Sequence, residues 1–145
     1  MKTKCTLAVL VGWALGILAA LLYAKAYGSD MDRFLVALQQ VESSGHANPP
    51  DGDGGRTIGP LQIRFDYWLD ATSADPSLGG TYQDCRRPQY ARRCVLAYLR
   101  HYTPTSLEKR NWEVLARTHN GGPGGARSRR TLTYWHRVRK EMQRG

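Results

Sequence analysis

A dense run of glycine and proline at residues 49–55, PPDGDGG, constrains the fold most, because a regular helix cannot continue through it. Asp51-Gly52 and Asp53-Gly54 are turn and hairpin signals, and the β-branched Thr57 and Ile58 follow them. Gly59-Pro60 then marks a new helix start, with Pro60 at the first helical position. The sequence therefore predicts a helix, a small β-hairpin or loop, and a second helix.

The segment before the run has the apolar spacing of an amphipathic helix that ends in an acid. Ser29 and Asp32 form a possible capping box at its start. At about 100° per residue, one face carries an apolar stripe: Met31, Phe34, Leu35, Leu38 and Val41. Glu42 falls on that same face, where burial favours the protonated form of a carboxylate. A protonated carboxylic acid is what general-acid catalysis at a glycosidic oxygen requires. The structural alternative is a frayed last turn that lets Glu42 reach water.

Two further acids, Asp51 and Asp53, lie in the loop itself. Each is explained structurally by turn chemistry, and either could act as a second carboxylate beside Glu42. A calcium loop would need a later acidic ligand, which the sequence RTIG after Gly55 does not supply. We therefore expect no metal and no cofactor.

The chain of 145 residues is basic, with a formal net charge of +9. Such a charge favours a polyanionic partner: nucleic acid, anionic lipid or the bacterial wall. Charge alone does not choose among these three.

The N-terminus is typical of an export segment. Lys2 and Lys4 precede an uncharged apolar run over residues 6–24, and Ala24-Lys25-Ala26 offers a cleavage site. The run is also close to the length of a membrane span. We predict residues 1–26 as a signal peptide or signal anchor and residues 27–145 as one domain that is secreted or periplasmic.

The rest of the domain reads as helices. The helix after Pro60 is expected to bury Leu61, Phe65, Trp68 and Leu69 and to leave Gln62, Tyr67 and Asp70 toward solvent or a cleft. Pro88 begins a helix with an aromatic stripe, and Cys85 and Cys94 are predicted to form one disulfide. Thr105 and Glu108 form a capping box before a helix whose inner face includes His119. The run Asn120 to Gly125 ends that helix. A last helix over about residues 128–142 is expected to turn Leu132, Trp135, Val138 and Met142 inward.

Three separated motifs resemble one family. These motifs are similar to those of the invertebrate-type (destabilase-like) lysozymes. The first is Glu42-Ser43, and the second is Gly59-Pro60-Leu61-Gln62-Ile63 with Tyr67-Trp68. The third is the segment HNGGP from His119, followed by RTLTYW from Arg130. The part from Glu42-Ser43 to the segment 59–63 is also shared with lytic transglycosylases, and the segment from His119 onward is distinctive. Unlike the disulfide-rich animal members, this chain has only three cysteines.

The resemblance implies a mainly α, α+β lysozyme-like fold of about five helices with a small β-hairpin beside the active-site cleft. It also implies hydrolysis of the β-1,4 bond between N-acetylmuramic acid and N-acetylglucosamine in peptidoglycan by a bacteriolytic, antimicrobial enzyme. Glu42 would be the general acid, and Asp53 or Asp51 the second carboxylate. The candidates for substrate binding are Gln62, Tyr67, Trp68, His119, Asn120 and Gly121, and Arg127, Arg129 and Arg130 could hold the anionic wall.

Other functions stay open at this stage. A lytic transglycosylase would need only Glu42, and a basic protein that binds wall, membrane or nucleic acid would need neither acid. An isopeptidase is the least supported, since Ser106 and Lys109 offer no clear nucleophile–base pair. We expect a monomer that binds peptidoglycan, does not bind nucleic acid, and meets the membrane only through its N-terminal segment.

Overall fold

The computed structural model describes residues 17–22 and 30–144. The chain divides into two compact units, Met1–Arg33 and Phe34–Gly145. In the first unit the described residues, 17–22 and 30–33, are helical. Ser29 and most of the predicted export segment lie outside the described residues. Within the part that is described, no helix is both long and apolar enough to cross a membrane.

The second unit is mainly helical with one small sheet. Residues 34–43 of this unit belong to helix α1, which is described from residue 30. The later helices are α2 (Phe65–Ala74), α3 (Pro88–Tyr102), α4 (Pro104–Glu108), α5 (Trp112–Gly121) and α6 (Leu132–Arg144). Strands β1 (Thr57–Ile58) and β2 (Ile63–Arg64) pair antiparallel. Short 3-10 turns lie at Asp53–Gly55, Pro76–Leu78, Tyr82–Arg86, Gly125–Arg127 and Arg129–Thr131. The predicted fold class is confirmed.

The apolar stripe of α1 faces the core as its spacing predicts. Phe34, Leu35 and Leu38 are buried, and the Phe34 ring stacks on Trp112 with centroids 5.1 Å apart. Val41 and Glu42 are only half-buried because the helix ends at residue 43 beside a cleft. Glu42 therefore combines partial burial with access to solvent.

The hairpin after the loop corrects one predicted boundary. Pro60 does not begin a helix; it lies in the turn between β1 and β2, and α2 begins only at Phe65. Gly59 in this turn has a φ of 74°, and a Cβ there would lie 2.0 Å from the Cys85 carbonyl oxygen. The turn thus packs so closely on the following segment that only glycine fits.

Helix α2 buries a different face from the one predicted. Tyr67 and Ala71 are buried, whereas Phe65 and Leu69 are 55% and 48% exposed. The expected phase was wrong because it assumed that the helix starts at Pro60. Asp70 does not face the cleft, because its carboxylate accepts a hydrogen bond of 2.8 Å from the Tyr102 hydroxyl.

The predicted disulfide is not formed in the structure, in which Cys85 and Cys94 are buried free thiols. A thiol–thiol hydrogen bond to Cys85, together with burial, raises the pKa of Cys94. Both sulfurs therefore behave as small core groups, between the turn before α3 and the middle of that helix.

The segment after Thr105 was predicted as one helix, but the structure has two helices there, α4 and α5. The short helix α4 ends at Glu108, and Asn111 caps α5 by accepting a hydrogen bond from the Val114 N–H at 3.2 Å. Helix α6 also turns differently, since Tyr134 and Val138 are its buried residues while Leu132, Trp135 and Met142 are half-buried. The inward turn of Tyr134 brings its hydroxyl to the end of α1.

Candidate active site

Glu42 lies at the end of α1 with its side chain 18% exposed. Its Oε1 accepts a hydrogen bond of 2.7 Å from the Tyr134 hydroxyl. The same oxygen lies 3.5 Å from Nε2 of His119. One carboxylate oxygen is therefore fixed by residues from α5 and α6, 77 and 92 positions further along the chain (119 − 42 and 134 − 42).

Tyr134 is a constant donor to Glu42. Burial, and then the neighbouring Glu42 carboxylate, raise the pKa of Tyr134 well above its usual value of 10.0. The hydroxyl thus stays protonated throughout the physiological range. It can hold the Glu42 side chain in one orientation whether that carboxyl is charged or neutral.

His119 is held from its other ring nitrogen. Its Nδ1 lies 3.0 Å from the Tyr67 hydroxyl, and the Tyr67 ring stacks on Tyr98 with centroids 3.6 Å apart. Burial is the main cause that raises the pKa of Tyr67 well above 10.0. When the protonated Tyr67 hydroxyl donates to Nδ1, a neutral His119 carries its own proton on Nε2, the atom that faces Glu42.

Ser43 and Gln62 join the end of α1 to the hairpin. The buried Ser43 hydroxyl lies 2.9 Å from the carbonyl oxygen of Pro60, to which it can donate. The Gln62 amide accepts from the Thr57 hydroxyl at 2.7 Å and donates to the Gly59 carbonyl at 3.0 Å. Ser43 therefore ties the end of α1 to the hairpin, and the hairpin forms the wall of the cleft opposite Glu42.

Asp53 lies in that wall, in the 3-10 turn before β1. Its carboxylate pairs with Arg56 at 2.9 Å and with Arg64 at 3.3 Å, and its side chain is 47% exposed. Its backbone has a φ of 50°, a left-handed conformation that aspartate tolerates better than most residues. Asp53 is thus a half-exposed acid between two guanidinium groups.

Asp51 is committed elsewhere. Both of its carboxylate oxygens accept from the Arg86 guanidinium, at 2.5 and 2.9 Å. The hydrogen bond to Arg86 is the main cause that lowers the pKa of Asp51. This two-point pairing ties the loop to the turn before α3.

The walls enclose a cleft of about 360 Å³, which we call the acid cleft. It is lined by Glu42, Asp53, Thr57, Gln62, Arg64, Tyr67, His119 and Asn120. A second hollow of the same volume shares Glu42 and Gln62 with it and contains Asp51. Glu42 therefore borders both hollows. Of the two aspartates, only Asp53 lines the acid cleft with Glu42 and His119.

Two of the predicted site residues, Trp68 and Gly121, do not line this cleft. The Trp68 indole N–H donates to the Tyr90 hydroxyl at 3.0 Å, and Trp68 does not line the acid cleft. Gly121 provides a close approach to Thr131, whose Cγ2 would lie 2.6 Å from a Cβ, rather than to a ligand. Gln62, Tyr67, His119 and Asn120 do line the cleft.

Sequence reasoning did not identify three residues of the site. Tyr134 was quoted within the last motif, but not as a contact of the acid; Arg64 and Thr57 carried no signal beyond their places beside the hairpin. Trp135 was predicted to face inward, so the neighbouring Tyr134 was not expected to reach Glu42. Only the correct rotation of α6 would have identified Tyr134 as a site residue.

A helical unit with a two-stranded hairpin beside an acid-containing cleft defines the lysozyme-like class. The sequence pattern of the Destabilase family matches residues 33–141, so the chain belongs to the Destabilase family. Lysozyme of Ostrea edulis is 34% identical over 113 residues, which cover 76% of this chain and 80% of that protein. Lysozyme 1 of Crassostrea virginica is 39% identical over 86 residues, 59% of this chain but only 45% of that protein. The relatives are named lysozymes, which are glycoside hydrolases.

Solved structures agree with the sequence relatives. The crystal structure of Tapes japonica lysozyme superposes with a TM-score of 0.60 at 32% identity, over 74% of this chain and 87% of that one. Meretrix lusoria lysozyme, crystallised in complex with Aeromonas hydrophila PliI, gives the same TM-score and coverage at 28% identity. Fold and sequence therefore indicate the same family.

Proposed function

We propose that this chain is a lysozyme that hydrolyses the β-1,4 bond between N-acetylmuramic acid and N-acetylglucosamine in peptidoglycan. The observation that carries the proposal is the pairing of two unlike carboxyls in one cleft. Glu42 is mostly buried against Tyr134 and His119, and Asp53 is half-exposed between two arginines. Glycosidases divide the roles of proton donor and charge stabiliser between two carboxyls that flank the scissile bond.

Glu42 is the general acid in this proposal. Tyr134 and His119 both approach its Oε1, so the transferred proton is best placed on Oε2. That proton passes to the glycosidic oxygen as the bond from the anomeric carbon breaks, and positive charge develops on the sugar ring. Water then completes the hydrolysis and returns a proton to Glu42.

Asp53 is the second carboxylate. A carboxylate is needed opposite Glu42 to stabilise the positive charge or to attack it, and Asp53 lines the acid cleft between Arg56 and Arg64. Asp51 is the weaker candidate because its two oxygens are occupied by Arg86. Gln62 and Asn120 are proposed to orient the sugar, and the exposed Arg127, Arg129 and Arg130 to bind the anionic wall.

Peptidoglycan lies outside the cytoplasm, so the proposal requires export. We propose that residues 1–26 direct export and that residues 27–145 carry the enzyme, secreted or periplasmic. Appearance of full-length protein in the cytoplasmic fraction alone would contradict this placement.

The test is the release of reducing ends from insoluble peptidoglycan by wild type and by Glu42→Gln. Glu108→Gln is the matched control, since Glu108 is exposed at the end of α4, outside the acid cleft. We expect release by wild type and the control and almost none by Glu42→Gln. Equal release by all three would refute the assignment of Glu42, and release by none would refute the enzymatic function.

A further inference from the structure

The hydroxyl of Tyr67 is a buried donor with one acceptor. Tyr67 is 8% exposed, and its ring stacks on Tyr98 with centroids 3.6 Å apart. Within the part of the chain that the structure describes, the hydroxyl makes one hydrogen bond, of 3.0 Å to Nδ1 of His119. A buried donor that loses its acceptor is strongly unfavourable. The phenolic proton is therefore directed at Nδ1, which presents its lone pair.

The other ring nitrogen of His119 faces Glu42. Nε2 lies 3.5 Å from Oε1 of Glu42, and the His119 side chain is 4% exposed. Because Nδ1 accepts from Tyr67, a neutral ring carries its proton on Nε2. The opposite tautomer would set the Nε2 lone pair against the lone pairs of Oε1 and leave the Tyr67 proton without an acceptor. The contacts on both sides of the ring therefore favour the same tautomer.

Two donors thus converge on one oxygen of Glu42. Tyr134 donates to Oε1 at 2.7 Å, and Nε2–H of His119 is directed at the same atom. A carboxyl proton on Oε1 would compete for the lone pairs that these donors use, so Oε2 is the oxygen left for it. Among the described residues, Tyr67 makes the one hydrogen bond to the His119 ring. The orientation of that ring therefore depends on the Tyr67 hydroxyl.

We propose that Tyr67 is a positioning residue for the acid: its hydroxyl fixes the tautomer of His119, whose Nε2–H holds Oε1 of Glu42 and leaves Oε2 to the substrate. Tyr67 acts through His119 and not on the reacting atoms. The inference rests on the proposed function, because it deepens the role given to Glu42. It also gives Tyr67 a role different from the sugar contact that the sequence predicted.

Nitrogen NMR of the histidine rings tests the tautomer without any bond cleavage. The chain has four histidines, and the His119 signals are identified by their loss in His119→Gln. We expect the ring proton of wild type on Nε2, and a smaller share of that form in Tyr67→Phe. Tyr98→Phe is the matched control, because it removes a hydroxyl from the ring stacked on Tyr67 and should keep the wild-type tautomer.

Kinetics on labelled peptidoglycan test the positioning role itself. Phenylalanine keeps the ring and its stacking and removes only the hydroxyl. We therefore expect kcat of Tyr67→Phe to fall roughly 3- to 10-fold, with KM within about twofold of wild type. An unchanged kcat, or a raised KM alone, would overturn the positioning role, and the second result would show a direct sugar contact instead.

The tautomer of wild type is decisive whether or not the variant folds. A His119 proton on Nδ1, or a ring protonated on both nitrogens at neutral pH, overturns the inference, as does an equal tautomer share in wild type and Tyr67→Phe. If wild type hydrolyses peptidoglycan while His119 carries its proton on Nδ1, only the positioning role fails. If wild type releases no reducing ends, the proposed function fails, whatever the tautomer is.

Discussion

The two walls of the acid cleft hold their carboxyls by opposite means. Glu42 ends a packed helix, is 18% exposed, and meets a neutral tyrosine and a histidine. Asp53 lies in a glycine-rich turn, is 47% exposed, and meets two arginines. The helical wall therefore presents a largely buried carboxyl held by a tyrosine and a histidine, and the hairpin wall presents a half-exposed carboxyl held by two guanidinium groups. The difference teaches that the chemistry of each acid is set by the element that carries it.

The largest expected effect is at the helical wall. Glu42→Gln removes the transferable proton while keeping the shape, so we expect kcat to fall roughly 10²- to 10⁴-fold. The unfolding midpoint in urea should change little, because the glutamine amide can still accept from Tyr134. Kinetics on labelled peptidoglycan and urea titration measure the two quantities. A fall of less than tenfold would show that the helical wall does not supply the acid.

The hairpin wall contributes the next effect. Asp53→Asn removes the charge that faces the developing cation, and we expect a loss of roughly 10²- to 10³-fold in kcat. Asp51→Asn is the matched control in the same loop, and it should retain most activity because Arg86 already occupies Asp51. The reverse order of losses would assign the second carboxylate to Asp51.

Tyr134→Phe tests how the helical wall positions its acid. It removes only the hydroxyl that donates to Glu42, so we expect kcat to fall roughly 10- to 100-fold, because a hydrogen bond to a carboxylate contributes about 1.5–3 kcal/mol. Because Tyr134 contacts Glu42 and does not line the acid cleft, the loss should appear in kcat with KM unchanged. A kcat equal to that of wild type, or a change in KM alone, would contradict this positioning role.

The smallest effect concerns stability at alkaline pH. Burial raises the pKa of Tyr67 and of Tyr134 above 10.0 in the folded protein, so the unfolded chain loses these protons first. Their contribution to stability is therefore complete below pH 10 and declines as pH rises above it. Melting temperatures between pH 8 and pH 11 should fall above pH 10, and less steeply in Tyr67→Phe. Parallel curves for wild type and Tyr67→Phe would contradict this linkage.

The two walls also differ in how far the sequence predicted them. The position of Glu42 follows from helical phase, because the buried Phe34, Leu35 and Leu38 of α1 lie on one face of the helix. The hairpin wall depends on side-chain pairs that no periodic sequence pattern predicts, such as Arg86 with Asp51 and Arg64 with Asp53. The paired residues are 35 and 11 positions apart in the sequence, so only the folded structure distinguishes the role of Asp51 from that of Asp53.

The error in the predicted start of α2 has a physical origin in packing. Pro60 fits a helix start by its backbone angle, yet the Ser43–Pro60 hydrogen bond and the close packing of Gly59 place it in a hairpin turn. The later start of α2 rotates its buried face to Tyr67 and exposes Phe65. Long-range packing therefore overrode a local signal, and it placed an aromatic residue on the surface beside the cleft.

Mass analysis of the ends released from defined muropeptide strands tests the central claim most directly. Two acids that face one cleft predict that wild type leaves hydrated, reducing N-acetylmuramic acid ends and that Glu42→Gln leaves the strands intact. Anhydro ends would show that Glu42 acts without the hairpin carboxylate, as in a transglycosylase. Cleavage by Glu42→Gln at the wild-type rate would contradict the account altogether.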